Sequence, residues 1–384
     1  MRKVTVVGAS LAGLNAARSL RTQGFDGALT IVGAEHHPPY DRPPLSKEFL
    51  LGKATPAELA LHEDDIDADL DADWRLGTPA TGLDTRRRVV HLADGTELAS
   101  DGVVVATGAA PRALPGAEGL SGVHVLRTLD DAEALRADLN TGTPRIAVVG
   151  GSFIGAEIAA SCAALGLEVT VVEASAAPLA PVLGQEMAAH CAALHRENGV
   201  RLLCGARVAR LLGQGKVTGV ELDDGRHVPA DVVVAGIGVR PNTAWLTGSG
   251  VDLGDGVLCD TGCRTSVPGV VAVGDVARLC RSGGGSARIE HWSSANLQPA
   301  VAVRNLLAGA TVEEYQRKPY FWSDQYGVRL QFAGTTGPGD TVRVVEGDPD
   351  ERSFAAVYEH GDTVTAVLAM NRPRPFTRLR RSLA

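Results

Sequence analysis

Two parts of the chain share one pattern of apolar and polar positions. The run Val4 to Val7 reads as a buried parallel strand, and Leu11, Leu14, Ala17 and Leu20 then recur at helical spacing. The run Leu29 to Val32 supplies a second strand. The same order of run, small-residue turn, helix and run returns at Ile146 to Gly155 and Val169 to Val172. Between the two copies, Val89 to Leu92 and Thr96 to Leu98 read as a hairpin about Asp94-Gly95, and Val103 to Val105 as a buried strand that ends in Ala106-Thr107-Gly108. Pro111 and Pro115 fit a linker, and Asp130 to Leu139 reads as a helix.

Beyond the second copy, Val200 to Val234 reads as strands and turns, with Asp223-Asp224-Gly225 as a hairpin turn, and leads into the small-residue stretch Ala235 to Asn242. Thr265 to Asp275 reads as a strand that ends in Gly-Asp beside the start of a helix. Gly283 to Gly285 reads as a loop, and a long helix is expected over Ser294 to Leu307. From about Glu313 the texture changes to antiparallel strands at Phe321 to Trp322, Val328 to Phe332, Thr341 to Val345, Phe354 to Glu359 and Val364 to Met370, expected as a meander.

The turns inside the repeated units carry the chemistry. Gly8, Ser10 and Gly13 hold the GxGxxG positions around Leu11 and Ala12, and Gly150, Ser152 and Gly155 hold them again around Phe153 and Ile154. A strand-turn-helix of this kind aims helix N-H groups and the positive end of the helix dipole at a diphosphate. Glu35, about 20 residues beyond Gly13, and Glu173, placed alike in the second copy, are where an acid accepts hydrogen bonds from a ribose. Two dinucleotide sites in one chain imply flavin plus nicotinamide and hydride transfer. Glu173 favours NADH, since a carboxylate repels the extra phosphate of NADP and Ala174 to Ala180 bring no cation.

Other residues stand near these cradles. Pro38 to Lys47 is too rich in proline for a strand or continuous helix, and its rigidity holds Arg42 and Lys47 in fixed positions. Where the first copy has Asn15 the second has Glu157, placed to favour the helix dipole or to face a nicotinamide or a lysine. Asp275 suits a polyol hydroxyl or a helix cap. The acids Glu63, Asp64, Asp65, Asp67, Asp69, Asp71 and Asp73 read as a solvated face.

Composition narrows the class. The 384 residues suffice for two or three domains, and a net charge of -8 argues against a general nucleic-acid binder. The first strand begins within a few residues of Met1, leaving no room for a secretion signal, and no apolar run reaches membrane-spanning length. Six cysteines are scattered rather than arranged as a framework. The expectation is a cytoplasmic protein with no metal.

Several motifs together resemble one family: the FAD-dependent, NADH-dependent ferredoxin reductases of bacterial oxygenase systems, of the putidaredoxin reductase and biphenyl dioxygenase reductase type. They are Pro39-Tyr-Asp-Arg-Pro-Pro-Leu-Ser-Lys47, Ala106-Thr-Gly108, Leu126-Arg-Thr-Leu-Asp-Asp131, Gly150 to Glu157, Thr265 to Asp275, Glu290-His-Trp292 and Tyr320-Phe-Trp-Ser-Asp-Gln325. The resemblance implies an α/β chain with two Rossmann-like, glutathione-reductase-like domains and a small C-terminal α+β domain. Residues 1–110 and 235–312 would bind FAD, 111–234 would bind NAD, and 313–384 would form the C-terminal antiparallel sheet.

The resemblance further implies that Gly8 to Gly13, Glu35, Arg42, Lys47, Arg127, Asp275 and Trp292 line the FAD site. Ala106, Thr107, Gly108, Glu290 and His291 belong to the same assignment. Lys47 would lie near flavin N5, paired with Glu157, and Trp322 would cover the ring region. Gly150, Gly151, Ser152, Phe153, Ile154, Gly155, Glu157, Glu173, Gly236, Ile237 and Gly238 would hold NAD. Relatives often carry arginines after the acid of the second unit, where this chain has Ala177 and Pro181.

The implied activity is NADH-driven reduction of a ferredoxin-type iron-sulfur protein that feeds an oxygenase, with Lys47 and Glu157 as catalytic residues. One rival is a flavin-dependent NADH oxidase or disulfide reductase, which needs a thiol beside the flavin; His36 to Leu51 holds none, and Cys259 and Cys263 come much later. A second rival is a redox-signalling flavoprotein. Arg372, Arg374, Arg378, Arg380 and Arg381 form an acid-free basic tail suited to an acidic partner.

Overall fold

The computed structural model describes residues 1–61, 70–280 and 284–383, so Glu63, Asp64, Asp65, Asp67, Asp69 and Gly283 lie outside the described residues. The chain forms two compact units. One comprises Met1–Asp41, Leu59–Ala110 and Arg240–Pro319; the other comprises Arg42–Glu58, Pro111–Val239 and Tyr320–Ala384.

In the first unit a five-stranded parallel sheet runs in the order Val270–Ala272, Gly102–Val105, Lys3–Val7, Ala28–Val32, Ala72–Arg75. Val4 pairs with Leu29 on one side and Gly102 on the other. The central strands are buried almost throughout, which is why they read as unbroken apolar runs. The helix Leu11–Thr22 buries Leu14, Ala17 and Leu20 in the core that covers this sheet. A three-stranded antiparallel sheet of Ala80–Asp84, Val89–Leu92 and Glu97–Ala99 contains the expected hairpin.

The second unit repeats the plan. Its parallel sheet runs Arg201–Cys204, Val169–Glu173, Ile146–Val149, Val232–Ala235, Val123–His124, and Ile146 pairs with Val169 and Val232 as Val4 does with Leu29 and Gly102. The helix Leu129–Leu139 starts at a capping box, in which Thr128 accepts from the Asp131 N-H and Asp131 accepts from the Thr128 N-H. The helix Ala180–Glu197 is kinked at Gly184, and the Thr336 and Tyr358 hydroxyls donate to the Val182 and Leu183 carbonyls beside the kink.

The C-terminal antiparallel sheet corrects one expectation. Its order is Tyr320–Gln325, Val328–Gly334, Thr363–Met370, Ser353–His360, Thr341–Asp348, so the strand after Val328–Gly334 in space is the last in sequence. It is therefore not a simple meander: the last strand is inserted at the centre, with its Ala366, Val367, Leu368, Ala369 and Met370 all buried. The long helix runs Trp292–Ala308, two residues earlier than its apolar pattern suggested, with His291 at the N-cap. No helix among the described residues is long and apolar enough to cross a membrane.

Candidate functional site

The first cradle is built by close backbone approach. Gly8 donates its N-H to Val32 O at 2.7 Å, and Ala106 donates to Val7 O at 2.7 Å, so the turns that end three neighbouring strands are tied together. A Cβ on Gly8 would stand 2.1 Å from Ala106 O, at a φ of +121°, and a Cβ on Gly13 would stand 1.8 Å from Gly8 O. Only glycine closes this turn. Ser10 occupies an extended N-cap conformation and makes no cap hydrogen bond, so its hydroxyl takes none of the first-turn N-H groups of the Leu11–Thr22 helix. That donor set at a helix N-terminus, with Leu11 and Ala12 in its first turn, fits the diphosphate of a dinucleotide.

Further candidates of the first unit hold defined positions. Tyr40 donates to Glu35 Oε2 at 2.5 Å. Thr107 and Asn242 are locked by reciprocal bonds, Thr107 Oγ1 to Asn242 O at 2.8 Å and Asn242 Nδ2 to Thr107 O at 2.9 Å, and the Asn242 N-H donates to Gly108 O at 3.0 Å. Asp275 is the one residue of Val270 to Ala277 that is not buried. It lies in a single 3-10 turn, Gly274–Val276, that runs into the strand Ala277–Cys280; the expected helix beside it is absent at that point, and capping does not explain the residue. Trp292 Nε1 donates to Asp41 Oδ1 at 3.0 Å, and Glu290 pairs with Arg288. Burial pushes His291 down to about 4, against the pull of the Asp275 charge, so it is neutral near pH 7.

In the second unit the backbone bonds and close glycine approaches of the cradle recur. Gly150 donates to Val172 O at 2.8 Å, Gly236 donates to Val149 O at 2.7 Å, and a Cβ on Gly150 would stand 2.4 Å from Gly236 O. Here Ser152 does cap its helix, accepting from the Gly155 N-H at 3.2 Å. Glu173 grips the loop with both oxygens, Oε2 accepting from the Gly151 N-H at 2.7 Å and Oε1 from the Ser175 N-H at 2.6 Å. Ile154 and Ile237 are exposed apolar residues flanking these turns, and Phe153 packs on Phe321 with ring centres 4.3 Å apart and the rings tilted by 53°.

Glu157 is the charged centre of this unit. It is 6% exposed, and a buried carboxylate needs partners. Its Oε2 accepts from Lys47 Nζ at 2.9 Å and from Ser46 Oγ at 2.5 Å; its Oε1 accepts from Ser323 Oγ at 2.8 Å, with the Asp324 N-H at 3.4 Å. It is the fifth residue of the helix Phe153–Ala164, and its partners lie on other segments, so helix capping is not its role. Ser161 Oγ donates to Ser46 O at 2.7 Å, which fixes the Pro43–Ser46 turn that carries Lys47. Ser46 and Ser323 escaped the sequence reading. Ser323 left a trace: a polar residue in step with apolar Phe321 on the buried face of its strand.

The remaining candidates of this unit lie near its helix starts and in its C-terminal sheet. Arg42 Nη1 donates to Arg127 O at 2.5 Å, and the Arg127 N-H donates to Asp131 at 3.0 Å. Trp322 stacks on Tyr320 at 6.0 Å. The basic C-terminus is not a free tail: Pro373–Leu379 is a helix anchored by buried Phe376, Arg378 and Arg372 face Glu346 at 2.8 and 3.9 Å, and Arg380 lies over the Tyr320 ring. Arg374 and Arg381 remain exposed. The thiols of Cys259 and Cys263 are buried; desolvation pushes Cys259 up to about 12 and Cys263 well above its ordinary value, which makes both poor nucleophiles.

Comparison with known proteins agrees with this architecture. The family model described as "Pyridine nucleotide-disulphide oxidoreductase" matches residues 2–298, and that described as "Reductase C-terminal" matches 320–384. The chain is 37% identical to a ferredoxin--NAD(P)(+) reductase of a Sphingomonas species over 383 residues, 98% of this chain and 92% of the relative. It is 37% identical to the ferredoxin--NAD(+) reductase component of the p-cumate 2,3-dioxygenase system of Pseudomonas putida, over 94% of this chain and 85% of the relative. The crystal structure of the covalent putidaredoxin reductase-putidaredoxin complex superposes with a TM-score of 0.93 at 35% identity, covering 98% of this chain and 92% of that one. With both cradles, the small-residue turns that close them and the C-terminal sheet in place, the chain belongs to the pyridine nucleotide-disulphide oxidoreductases, as an FAD- and NAD(H)-dependent flavoprotein of the ferredoxin reductase type.

Proposed function

We propose that the protein carries electrons from NADH through FAD to a ferredoxin-type iron-sulfur protein that serves an oxygenase. The observation that carries this reading is the duplicated cradle, Gly8 to Gly13 and Gly150 to Gly155, in a chain whose one buried lysine-carboxylate pair, among the described residues, is Lys47 with Glu157. The names of the relatives point the same way, to ferredoxins as acceptors and to dioxygenase systems as destinations.

Bound FAD supplies the exchange between a two-electron hydride donor and one-electron acceptors. The chain supplies position and charge. The first-turn N-H groups after Ser10 take the FAD diphosphate, Glu35 takes its ribose, and Asp275 takes a polyol hydroxyl. Arg42, Arg127, Trp292 and Trp322 contribute charge and cover, with Ala106 to Gly108, Glu290 and His291 in support. Gly150 to Gly155, Glu173 and Gly236 to Gly238 hold NAD. Lys47, fixed by Glu157, would offer its positive charge to the ring of the bound flavin. Six free thiols suit a reducing compartment, and the cytoplasm is the setting proposed.

The thiols considered for the rival disulfide chemistry, Cys259 and Cys263, are buried and held as thiols, which disfavours it. The deciding experiment mixes the flavin-loaded protein with NADH and candidate ferredoxins under anaerobic conditions. Bleaching of the flavin followed by reduction of the iron-sulfur centre is expected. Repeated in air, fast NADH consumption with no ferredoxin reduced would favour the oxidase instead.

A further inference from the structure

We infer that Ser323, aimed by Gln325, is a positioning residue that holds Glu157 in register with Lys47. The inference rests on the role proposed above for the Lys47–Glu157 pair and extends it to the C-terminal sheet.

The register comes from two matched periods. Four residues of helix, a little over one turn, advance about 6 Å, and two residues of strand advance about 6.6 Å. The Phe153–Ala164 helix and the Tyr320–Gln325 strand therefore meet in step: Phe153 packs on Phe321, and four residues on along the helix and two along the strand, Glu157 meets Ser323. Phe321, Ser323 and Gln325 are all buried, while Tyr320, Trp322 and Asp324 between them are not. The aromatic contacts set the approach, with Phe332 stacked on Phe321 at 5.3 Å as well, so packing of the strand does not depend on the serine.

The direction of the hydroxyl follows from its neighbours. A serine hydroxyl has one proton to give and two lone pairs to receive. Gln325 Nε2 donates to Ser323 Oγ at 3.1 Å, which leaves the proton for Glu157 Oε1 at 2.8 Å. Oε1 is thus occupied, and Oε2 is the oxygen presented to Ser46 and Lys47. Without Ser323 the other donor at Oε1 among the described residues is the Asp324 N-H at 3.4 Å, and the carboxylate is free to turn its charge away from the lysine.

The test is anaerobic stopped-flow reduction of the FAD-loaded protein by NADH in Ser323→Ala, Glu157→Gln and the double variant. A hydrogen bond to a charged group is lost, so Ser323→Ala slows reduction about tenfold. In the Glu157→Gln background the same change alters the rate by less than about twofold, because the serine acts through the carboxylate. A purely structural serine gives equal slowing in both backgrounds, and that result overturns the inference. So does a wild-type rate in Ser323→Ala beside a slow Glu157→Gln, which leaves the Lys47–Glu157 role standing. A wild-type rate in Glu157→Gln overturns both. If Ser323→Ala fails to hold FAD, Gln325→Leu keeps the hydroxyl and removes only its aim; slowing of several-fold that vanishes in Glu157→Gln supports the inference, and an unchanged rate ends it.

Discussion

Lys47 Nζ stands 2.9 Å from Glu157 Oε2, with the two side chains 13% and 7% exposed. Burying such a pair costs desolvation, and an apolar pair of the same size would be at least as stable. Its value lies in where it fixes a positive charge. Lys47→Met keeps the stem and removes that charge, so reduction of bound FAD by NADH is expected to slow by about tenfold or more. Glu157 keeps its serine partners but loses its counter-charge, and the loss of stability by urea unfolding should be about 3–5 kcal/mol. A variant reduced as fast as wild type would remove Lys47 from the mechanism.

The two cradles should fail separately. A Cβ on Gly8 meets Ala106 O at 2.1 Å and one on Gly150 meets Gly236 O at 2.4 Å, both backbone atoms that cannot move aside, and both glycines have positive φ. Gly8→Ala is expected to yield protein without flavin absorbance. Gly150→Ala is expected to keep the flavin and raise the KM for NADH by at least about tenfold, since one cradle is spoiled and the other is not. Loss of flavin from the second variant alone would reverse the assignment of the cofactors.

What could be read from the sequence was local or repeated. Gly8, Gly13, Gly150 and Gly155 announce themselves within ten residues of a strand, and the second copy confirms the first. The turns at Ala106 and Gly236 were legible as small residues after buried runs, although the strands they end pair with distant ones. Lys47 as a partner of Glu157 came with the family resemblance, but its serine partners were not legible, because Ser46 and Ser323 lie 111 and 166 residues away and Ser323 marks itself only as a polar residue in step with Phe321. The same reason hid the central place of Thr363–Met370, whose apolar run fits a middle or an edge strand equally well until its neighbours are known. The arginine-rich C-terminus misled for another reason: charge dominates its composition, while Phe376, the residue that anchors it, is a single apolar position.

His195 links stability to pH. It is wholly buried, with Nδ1 2.7 Å from the Tyr326 hydroxyl, and burial pushes it down to about 4. The folded state keeps it neutral, while the unfolded chain takes up a proton below the ordinary value near 6.5. Stability from this group is therefore complete above pH 6.5 and is lost as pH falls toward 4, by up to roughly 3 kcal/mol. His291, also pushed down to about 4, acts with the same sign. Urea unfolding of wild type should weaken steeply between pH 6.5 and 4. His195→Gln should be less stable at pH 7.5 but show a shallower decline; an identical slope would exclude the histidine.

Glu173 offers a test of nicotinamide choice. Its two oxygens each hold one loop N-H, from Gly151 and Ser175, so the carboxylate is fixed before any ribose arrives. A fixed negative charge accepts hydroxyls and repels a 2′-phosphate. Glu173→Ala removes the repulsion and both loop bonds, so kcat/KM for NADH should fall about tenfold or more while that for NADPH changes little or rises. Pro181, in the first turn of the Ala180–Glu197 helix, can become arginine without breaking an internal helix bond. Adding Pro181→Arg to Glu173→Ala brings a cation near the loop and should carry the preference to NADPH. An unchanged NADH to NADPH ratio in Glu173→Ala would show that this carboxylate organises the loop and does not select the cofactor.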